Sequence, residues 1–347
     1  MIQNRPLGLP EKVKLGPIFW PLALLGAVLV FNLIFTPGFF NVEMRDGRFY
    51  GSLVDIVNRA VPVLLLSLGM TLVIATGGVD LSVGAVMAIT GAVAACLIAR
   101  PEGGMLSALP ISGVPAIVGF SLVLALVLGL FNGVLVAYFR VQPIVATLLL
   151  MVAGRGVAQL LTNGQIVIFE LPSFQALGSG SSLALPNPVW IFLAALLLIV
   201  LLVRGTAFGL FVAATGSNAT ASQYAGVNSR STKLAVYAIC AVCAGIAGLI
   251  ATADIKGADA NNAGLYLELD AILAVAVGGT SMAGGRFSVA GSVIGAILMQ
   301  ALTTTILTRG VAPEATLILK ALIVVAVCIL QSEVFRARFR TRQGVAA

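Results

Sequence analysis

The sequence has few charged residues and no histidine. Only 10% of its 347 residues are charged and 59% are hydrophobic, whereas soluble domains are about 25% charged. The absence of histidine excludes a zinc-protease helix of the His-Glu-x-x-His type. No polar, patterned stretch is long enough to fold outside a membrane. The composition therefore predicts an integral membrane protein, organised as a single transmembrane domain over residues 1–347.

The sequence also lacks the motifs of nucleotide and metal sites. No glycine precedes a lysine, so there is no P-loop ending in Gly-Lys-Ser or Gly-Lys-Thr. The four cysteines have neither the loop spacing of a disulfide framework nor that of a zinc site. The net charge of +7 comes from basic residues beside apolar runs, where such residues set orientation rather than bind nucleic acid. We predict no enzyme, no cofactor in this chain and no nucleic-acid partner; an ATP-driven process would need a second chain.

Apolar runs that could cross a bilayer recur along the sequence. A helix needs about 20 residues to span the hydrocarbon core. Paired glycines shorten several runs, and short paired spans can be broken or re-entrant helices. The pattern predicts an all-α polytopic membrane protein with about ten transmembrane helices, at 18–36, 61–76, 82–99, 114–138, 141–162, 189–203, 234–253, 269–283, 288–308 and 314–331.

Basic residues predict the orientation of these spans, because Lys and Arg are retained on the cytoplasmic side. With the N-terminus inside, twelve of the 20 Lys and Arg residues fall in cytoplasmic segments and six in outer loops. The asymmetry favours an even number of spans with both termini cytoplasmic. The cytoplasmic parts are then the tails 1–16 and 332–347 and the loop 205–233, with the shorter inner turns.

A glycine pair and an aspartate separate the second and third apolar runs. Gly77 and Gly78 relax the helix, and Asp80 follows close to membrane depth, where an ionised carboxylate is unfavourable. In one interpretation Asp80 or Ser82 caps the helix that begins at Val83. In the other, Asp80 faces a transport path. The two interpretations are compatible.

A second glycine pair, Gly278 and Gly279, interrupts the late part of the chain, and the run after it is similar to the run after the first break. Interrupted apolar segments that recur in two halves indicate a substrate site near the membrane midplane. Close helix packing through small residues explains the same pattern. Both explanations stay open.

The longest predicted cytoplasmic loop contains a candidate short helix. Asn218 is a good N-cap and Gly226 is a good C-terminal stop. The residues between them favour a helix outside the membrane. Such a helix would dock on a partner or would serve only as a connector.

Four motifs, in this order along residues 50–330, resemble the permease subunits of bacterial ABC importers for monosaccharides, in the ribose-type branch. The chain departs from the common pattern at Ala219-Thr220, Ser222 and Arg286. The motifs are Gly77-Gly78-Val79-Asp80-Leu81-Ser82-Val83-Gly84, Phe131-Asn132-Gly133-Val134-Leu135-Val136, the Gly-x-Asn-x-x-Ala loop ending in Ala225-Gly226-Val227, and Glu268-Leu269-Asp270-Ala271-Ile272 leading into Gly278-Gly279-Thr280-Ser281.

The resemblance implies a channel in the bacterial inner membrane, formed with a second permease subunit as a homodimer or heterodimer. It also implies a cytoplasmic ABC ATPase that binds ATP and Mg, and a periplasmic protein that delivers sugar. The short helix is then a coupling helix that contacts the ATPase. The positions that match the coupling motif are Asn218, Ala221, Ala225 and Gly226.

Polar residues inside the spans are the candidates for the sugar path, because sugar hydroxyls need hydrogen-bond partners and intramembrane polar groups usually face a cavity or each other. They are Asp80, Asn132, Arg155 and Gln159. For Arg155 an ion pair that fixes helix packing is the alternative. A secondary transporter with Asp80 as its titrating group, or a membrane scaffold without transport, are the competing functions.

Three segments look closest to galactofuranose permeases within this branch. They are residues 45–51, 151–159 and 256–264. We therefore expect galactofuranose as the first candidate sugar.

Overall fold

The computed structural model describes residues 18–45, 47–100, 102–312, 315–322 and 325. The predicted tails 1–16 and 332–347 and the second half of the tenth predicted span lie outside them. The described chain is mainly helical. Its helices are α1 (Phe19–Phe35), α2 (Ser52–Ala75), α3 (Val83–Ala99), α4 (Val114–Ala137), α5 (Pro143–Leu161), α6 (Pro172–Ser179), α7 (Asn187–Gly205), α8 (Phe208–Ser217), α9 (Ala219–Tyr224), α10 (Ser229–Ile255), α11 (Leu267–Val277) and α12 (Val289–Thr308), and residues 315–322 are also helical.

Short strands join the loops in three antiparallel pairs within the described residues. They were not predicted, because two or three residues carry no periodic hydrophobic signal. The pairs are β1 (Glu43–Arg45) with β2 (Arg48–Tyr50), β3 (Val167–Ile168) with β6 (Gly257–Ala258), and β4 (Ser181–Ser182) with β5 (Leu185–Pro186).

Nine of the twelve numbered helices overlap predicted apolar segments, whereas α6, α8 and α9 lie between them. Six of the described helices, namely α2, α4, α5, α7, α10 and α12, are long and apolar enough to cross a membrane, and α1 and α3 are apolar with 17 residues each. In lipid a helix satisfies every backbone group within its own segment, so long apolar runs become helices. Ten crossings remain a prediction.

Several elements differ from the sequence prediction. Helix α10 begins at Ser229 rather than at 234, and α6 was not expected. Helix α2 begins at Ser52 rather than at 61, because polar residues such as Asp55 and Arg59 alternate with apolar ones in its first turns and the continuous apolar run starts later. Helix α8 lies in the loop 205–233, where only one short helix was expected. Helix α11 ends at Val277, before Gly279, whose φ of +86° breaks the helix.

Helices α2 and α10 form the centre of the bundle. Every residue of α2 from Val63 to Ala75 is buried. Gly69 of α2 lies against the backbone of Cys240 in α10, and Gly129 of α4 lies against Ala238 of the same helix. These glycines let the helices approach closely. In contrast, α4, α5 and α7 carry many exposed apolar side chains, as expected for surfaces that meet lipid or a second subunit.

The two ends of the bundle are distinct. Helix α10 begins directly after α9 and ends directly before β6. We call these the α9 end and the opposite end. At the opposite end, the β1–β2 hairpin, α6 and the β4–β5 hairpin surround a pocket of about 210 Å³ that includes Arg48, Asp55 and Asp254.

Candidate functional site

Asp80 lies in the first glycine break, between α2 and α3. Its Oδ1 accepts hydrogen bonds from the Ser82 backbone N–H at 2.9 Å and from the Ser82 hydroxyl at 2.6 Å. The Asp80 side chain is only 1% exposed. The carboxylate therefore closes the turn that leads into α3. Neither the Asp80 nor the Ser82 side chain accepts a hydrogen bond from an N–H group of α3 itself, so the capping interpretation is wrong in its detail. A path-facing role for Asp80 stays a prediction.

Asn132 of α4 joins the same network. Its Nδ2 donates to the Ser82 hydroxyl at 2.9 Å, and Asn132 is fully buried. Within the described part of the chain, Asp80 Oδ2 and Asn132 Oδ1 have no hydrogen-bond partner. Nearby, the Tyr237 hydroxyl donates to the Val79 carbonyl oxygen at 3.4 Å. Side chains from α4 and α10 thus contact the first glycine break. Asp80 Oδ2 and Asn132 Oδ1 are buried beside it without a hydrogen-bond partner among the residues that the structure describes.

The second glycine break lies between α11 and α12. Ser288 caps α12, since its Oγ accepts from the Gly291 N–H at 3.1 Å. The carbon added by any larger residue at Gly278 would meet the backbone of Gly291 at 2.5 Å. The close-packing interpretation of the second glycine pair therefore applies to Gly278, while Gly279 supplies a positive φ.

The two breaks meet at the end of α8, in a cluster that we call the glycine junction: Ala75, Gly77, Gly216, Gly284 and Gly285. The Gly285 N–H donates to the carbonyl oxygen of Ala75, the last residue of α2, at 2.9 Å. A Cβ at Gly216 would overlap that same oxygen, and a Cβ at Gly284 would lie 3.0 Å from the Gly77 nitrogen. Three separate parts of the chain therefore contact one another mainly through backbone atoms, with the Ser217 hydroxyl also close to Gly285.

Helix α9 follows the junction directly, and both of its predicted ends are confirmed. Asn218 Oδ1 accepts from the Ala221 N–H at 2.9 Å. At the other end, the Val227 N–H donates to the Ser222 carbonyl oxygen, and Gly226 has a φ of +87°, which is the Schellman arrangement. Only Ser222 is buried; Ala221 and Ala225 are exposed and Tyr224 is 88% exposed. Most of the surface of α9 is thus exposed at the α9 end.

Arg155 and Gln159 project from α5 toward the segment between α10 and α11, residues 256–266, which we call the 256–266 segment. An Arg155 nitrogen donates to the carbonyl oxygens of Ala260 and Ala263. Gln159 Nε2 donates to Asn261 Oδ1 at 2.8 Å. These bonds join two of the three segments that carry the galactofuranose resemblance.

Acidic groups surround the Arg155 guanidinium. Glu268 and Asp259 are the carboxylates whose charges reach it, and Glu268 is 3% exposed. The Asn262 side chain donates to Asp259 at 2.7 Å, and this hydrogen bond above all lowers the pKa of Asp259. Arg155 holds a loop through hydrogen bonds to backbone oxygens. Its guanidinium forms no ion pair within 4.0 Å among the described residues, so the ion-pair alternative stays a prediction.

An ion pair that the sequence did not reveal connects α11 to the helical residues 315–322. Lys320 Nζ lies 2.7 Å from Asp270 Oδ2, with side chains 11% and 19% exposed. Lys320 falls within a predicted span and Asp270 within a recognised motif, but nothing in the sequence pairs residues 50 positions apart.

The four predicted path residues therefore form two groups. Asp80 and Asn132 share one network around Ser82, and Arg155 and Gln159 hold the 256–266 segment. Sequence reasoning missed the bridging role of Ser82. Sequence reasoning also missed the glycine junction. The only sequence signal for that cluster was its glycine content.

Apolar helices interrupted at two glycine pairs, beside a short exposed helix, are typical of a multi-pass membrane protein. The chain belongs to the family described as branched-chain amino acid transport system / permease component, whose model matches residues 52–328.

Several characterised relatives cover most of the chain. The galactofuranose transporter permease protein of Escherichia coli strain K12 is 50% identical over 95% of this chain and 91% of its own length. The ribose import permease protein of the same strain is 33% identical over 90% and 92%. A probable ABC transporter permease protein of Sinorhizobium fredii is 32% identical over 80% and 79%. No solved structure matches the chain.

The predicted family is thus confirmed. The chain is the membrane channel subunit of a bacterial sugar ABC importer of the ribose type, located in the inner membrane, and is a transport component rather than an enzyme.

Proposed function

We propose that this subunit conducts a monosaccharide into the cytoplasm and that galactofuranose is the first candidate. The support for the sugar is the 50% identity to the galactofuranose permease over 95% of the chain. The segments 45–51, 151–159 and 256–264, which carry the sequence resemblance, add to this support, and two of them contact each other in the structure.

We further propose one transmembrane domain over residues 1–347, with ten spans and both termini in the cytoplasm. The α9 end is then cytoplasmic and the opposite end periplasmic. The excess of basic residues in the segments assigned to the cytoplasm supports this orientation.

Three partners complete the proposed importer. A periplasmic binding protein delivers the sugar at the opposite end. The sugar crosses a cavity between this chain and a second permease subunit, identical or related, within the lipid bilayer. A cytoplasmic ATPase, which alone holds ATP and Mg, docks at the α9 end and drives the reversal of the opening. The chain itself carries no cofactor and binds no nucleic acid.

The glycine junction is the observation that carries this proposal. Helix α9 exposes Ala221, Tyr224 and Ala225, a small, partly aromatic face that fits a groove in a partner. Directly behind α9, Gly216 contacts the end of α2 and the second break. Because most of these contacts are between backbone atoms, few side chains can rearrange to absorb a displacement of α9. A movement of the ATPase that displaces α9 would therefore also displace the two glycine breaks, at Gly77-Gly78 and at Gly278-Gly279.

A gradient-driven secondary transporter with Asp80 as the titrating group is the competing function. The buried, partly unpaired carboxylate fits that role. However, Asp80 already serves the turn before α3, and a secondary transporter has no use for the exposed face of α9.

Sugar uptake tests the proposal. Labelled galactose, which samples the furanose form, is supplied to cells that express the chain with its ATPase and binding protein. We expect uptake to disappear with a catalytically dead ATPase and to persist after ionophore treatment. The reverse result would establish gradient-driven transport instead.

A further inference from the structure

We propose that the 256–266 segment is a re-entrant loop that lines the sugar path, with Asn261, Asn262 and Tyr266 in contact with the sugar and with Arg155 and Gln159 as positioning residues. This inference rests on the proposed import function and specifies where in the chain the sugar is contacted.

The first step is the depth of the segment. Gly248 of α10 packs against Met87 of α3, and Gly91 of α3 packs against Thr252 of α10. These contacts put Gly84 level with about residue 245, which is about 15 Å before the end of α10 at about 1.5 Å per residue. Gly264 packs directly against Gly84. The segment therefore descends from the end of α10 to about half the depth of a hydrocarbon core about 30 Å thick.

The second step concerns the surroundings of this backbone. At membrane depth, non-helical backbone persists only where it is buried in protein or lines a water-filled cavity. One side of the segment meets the first condition, since Ala258, Ala260 and Gly264 are buried. The other side exposes Asn261 and Asn262. Each amide uses one atom in a hydrogen bond, Asn261 Oδ1 with Gln159 and Asn262 Nδ2 with Asp259. The second polar atom of each exposed amide would be unfavourable in hydrocarbon, so this side faces water.

The third step is the chemistry of the exposed side. Amides donate and accept hydrogen bonds, as sugar hydroxyls require. The Tyr266 ring is 53% exposed and offers an apolar surface to the C–H face of a sugar ring. A few placed polar groups beside an apolar wall are typical of small-molecule sites.

Tyr266 also has an unusual backbone. Its φ is +64° and its ψ is 0°, a left-handed conformation that non-glycine residues rarely adopt, with asparagine among the exceptions. Strained positions of this kind concentrate at ligand contacts. The segment on which Tyr266 lies is fixed in turn by the hydrogen bonds from Arg155 to the Ala260 and Ala263 carbonyl oxygens.

The first test compares two substitutions in matched positions. Tyr266→Asn removes the ring but accepts the left-handed backbone. Leu183→Asn is its control, because Leu183 is 85% exposed with a φ of +51° in the β4–β5 turn. In proteoliposomes with ATPase and loaded binding protein, we expect Tyr266→Asn and Asn261→Ala to lower uptake about tenfold, the loss typical of a removed ligand contact. ATP hydrolysis and complex assembly should persist, and Leu183→Asn should match the parent protein.

The second test asks whether the exposed side meets water. In a chain whose four native cysteines are replaced by alanine, Asn262→Cys should react with a membrane-impermeant thiol reagent added from the binding-protein side. Turnover with sugar should slow this reaction. Leu198→Cys, on the 68% exposed apolar face of α7, should stay unreactive.

The outcomes separate this inference from the proposed function. Normal uptake by Tyr266→Asn and Asn261→Ala, or an unreactive Asn262→Cys, in a complex that imports sugar with ATP would overturn the path assignment and leave the import function intact. A parent complex that imports no sugar with ATP would overturn both.

Discussion

At the scale of single residues, backbone contact explains why specific glycines are needed. At Gly216 the added carbon would meet the Ala75 oxygen and, at 2.6 Å, the Gly285 nitrogen, and neither atom can rotate away. Gly205, at the end of α7, has no neighbour within 4 Å of such a carbon. A change from glycine to alanine would therefore cause a clash at Gly216 and none at Gly205.

We therefore expect Gly216→Ala to reduce sugar uptake at least about tenfold, since overpacking against fixed atoms costs about 1–3 kcal/mol or more. Gly205→Ala should behave as the parent protein. Uptake, normalised to the amount of membrane-inserted protein, is the measurement. Equal uptake by both variants would contradict a tight junction.

Asp80 and Arg155 are the charged residues among the predicted path residues. Asp80→Asn places an amide where Oδ2 now lies buried without a partner, and Arg155→Ala removes the bonds to the 256–266 segment. We expect either change to abolish transport while the complex still assembles, as measured by uptake and by co-purification with the ATPase. Ser121→Ala, at a fully buried hydroxyl away from both networks, is the control. Normal uptake by both variants would remove these residues from the path.

At the scale of elements, α9 is stabilised locally and does not depend on deep burial. Its N-cap is Asn218, its C-terminal end is a Schellman turn, and Ser229 donates to the Ala219 carbonyl oxygen. Only one of its side chains is buried. Asn218→Ala should destabilise α9 by about 1 kcal/mol and reduce sugar-stimulated ATP hydrolysis. Asn218→Ser, which keeps a capping oxygen, should retain most of it. If the alanine variant couples as well as the serine variant, the cap has no role in docking.

Helix α11 and residues 315–322 are joined by the Asp270–Lys320 ion pair. Replacing Lys320 with methionine leaves a largely buried carboxylate unpaired, which typically costs about 3–5 kcal/mol. We expect Lys320→Met to lower the thermal stability of the detergent-solubilised protein, and Asp270→Leu with Lys320→Met to recover most of it, because an apolar pair needs no charge compensation. Equal melting temperatures for the single and double variants would show that the pair is not coupled.

At the scale of the whole molecule, the polar side of the 256–266 segment faces outward from a single chain. A closed path for sugar then needs a second permease subunit opposite it. We expect the intact importer to contain two permease chains, identical or related, when its mass is measured by native mass spectrometry. A fully active complex with one permease chain would contradict this arrangement.

The sequence by itself determined the membrane class, the apolar helices and the short helix with its two ends. Hydropathy and capping depend on neighbours along the chain, so a run of apolar residues or an Asn218 to Gly226 spacing is enough to predict them. The family also followed from motifs that are continuous in sequence.

Only the tertiary structure decided which of these parts meet. The contacts of Gly216 with Ala75, of Arg155 with Ala260 and of Asp270 with Lys320 join residues 50 or more positions apart. Such contacts depend on how the helices pack against one another. The identity of a single residue does not tell which distant residue it will contact. The start of α2 escaped prediction for another reason: residues 52–59 mix polar and apolar side chains, so they lie outside the continuous apolar run from which the span was predicted.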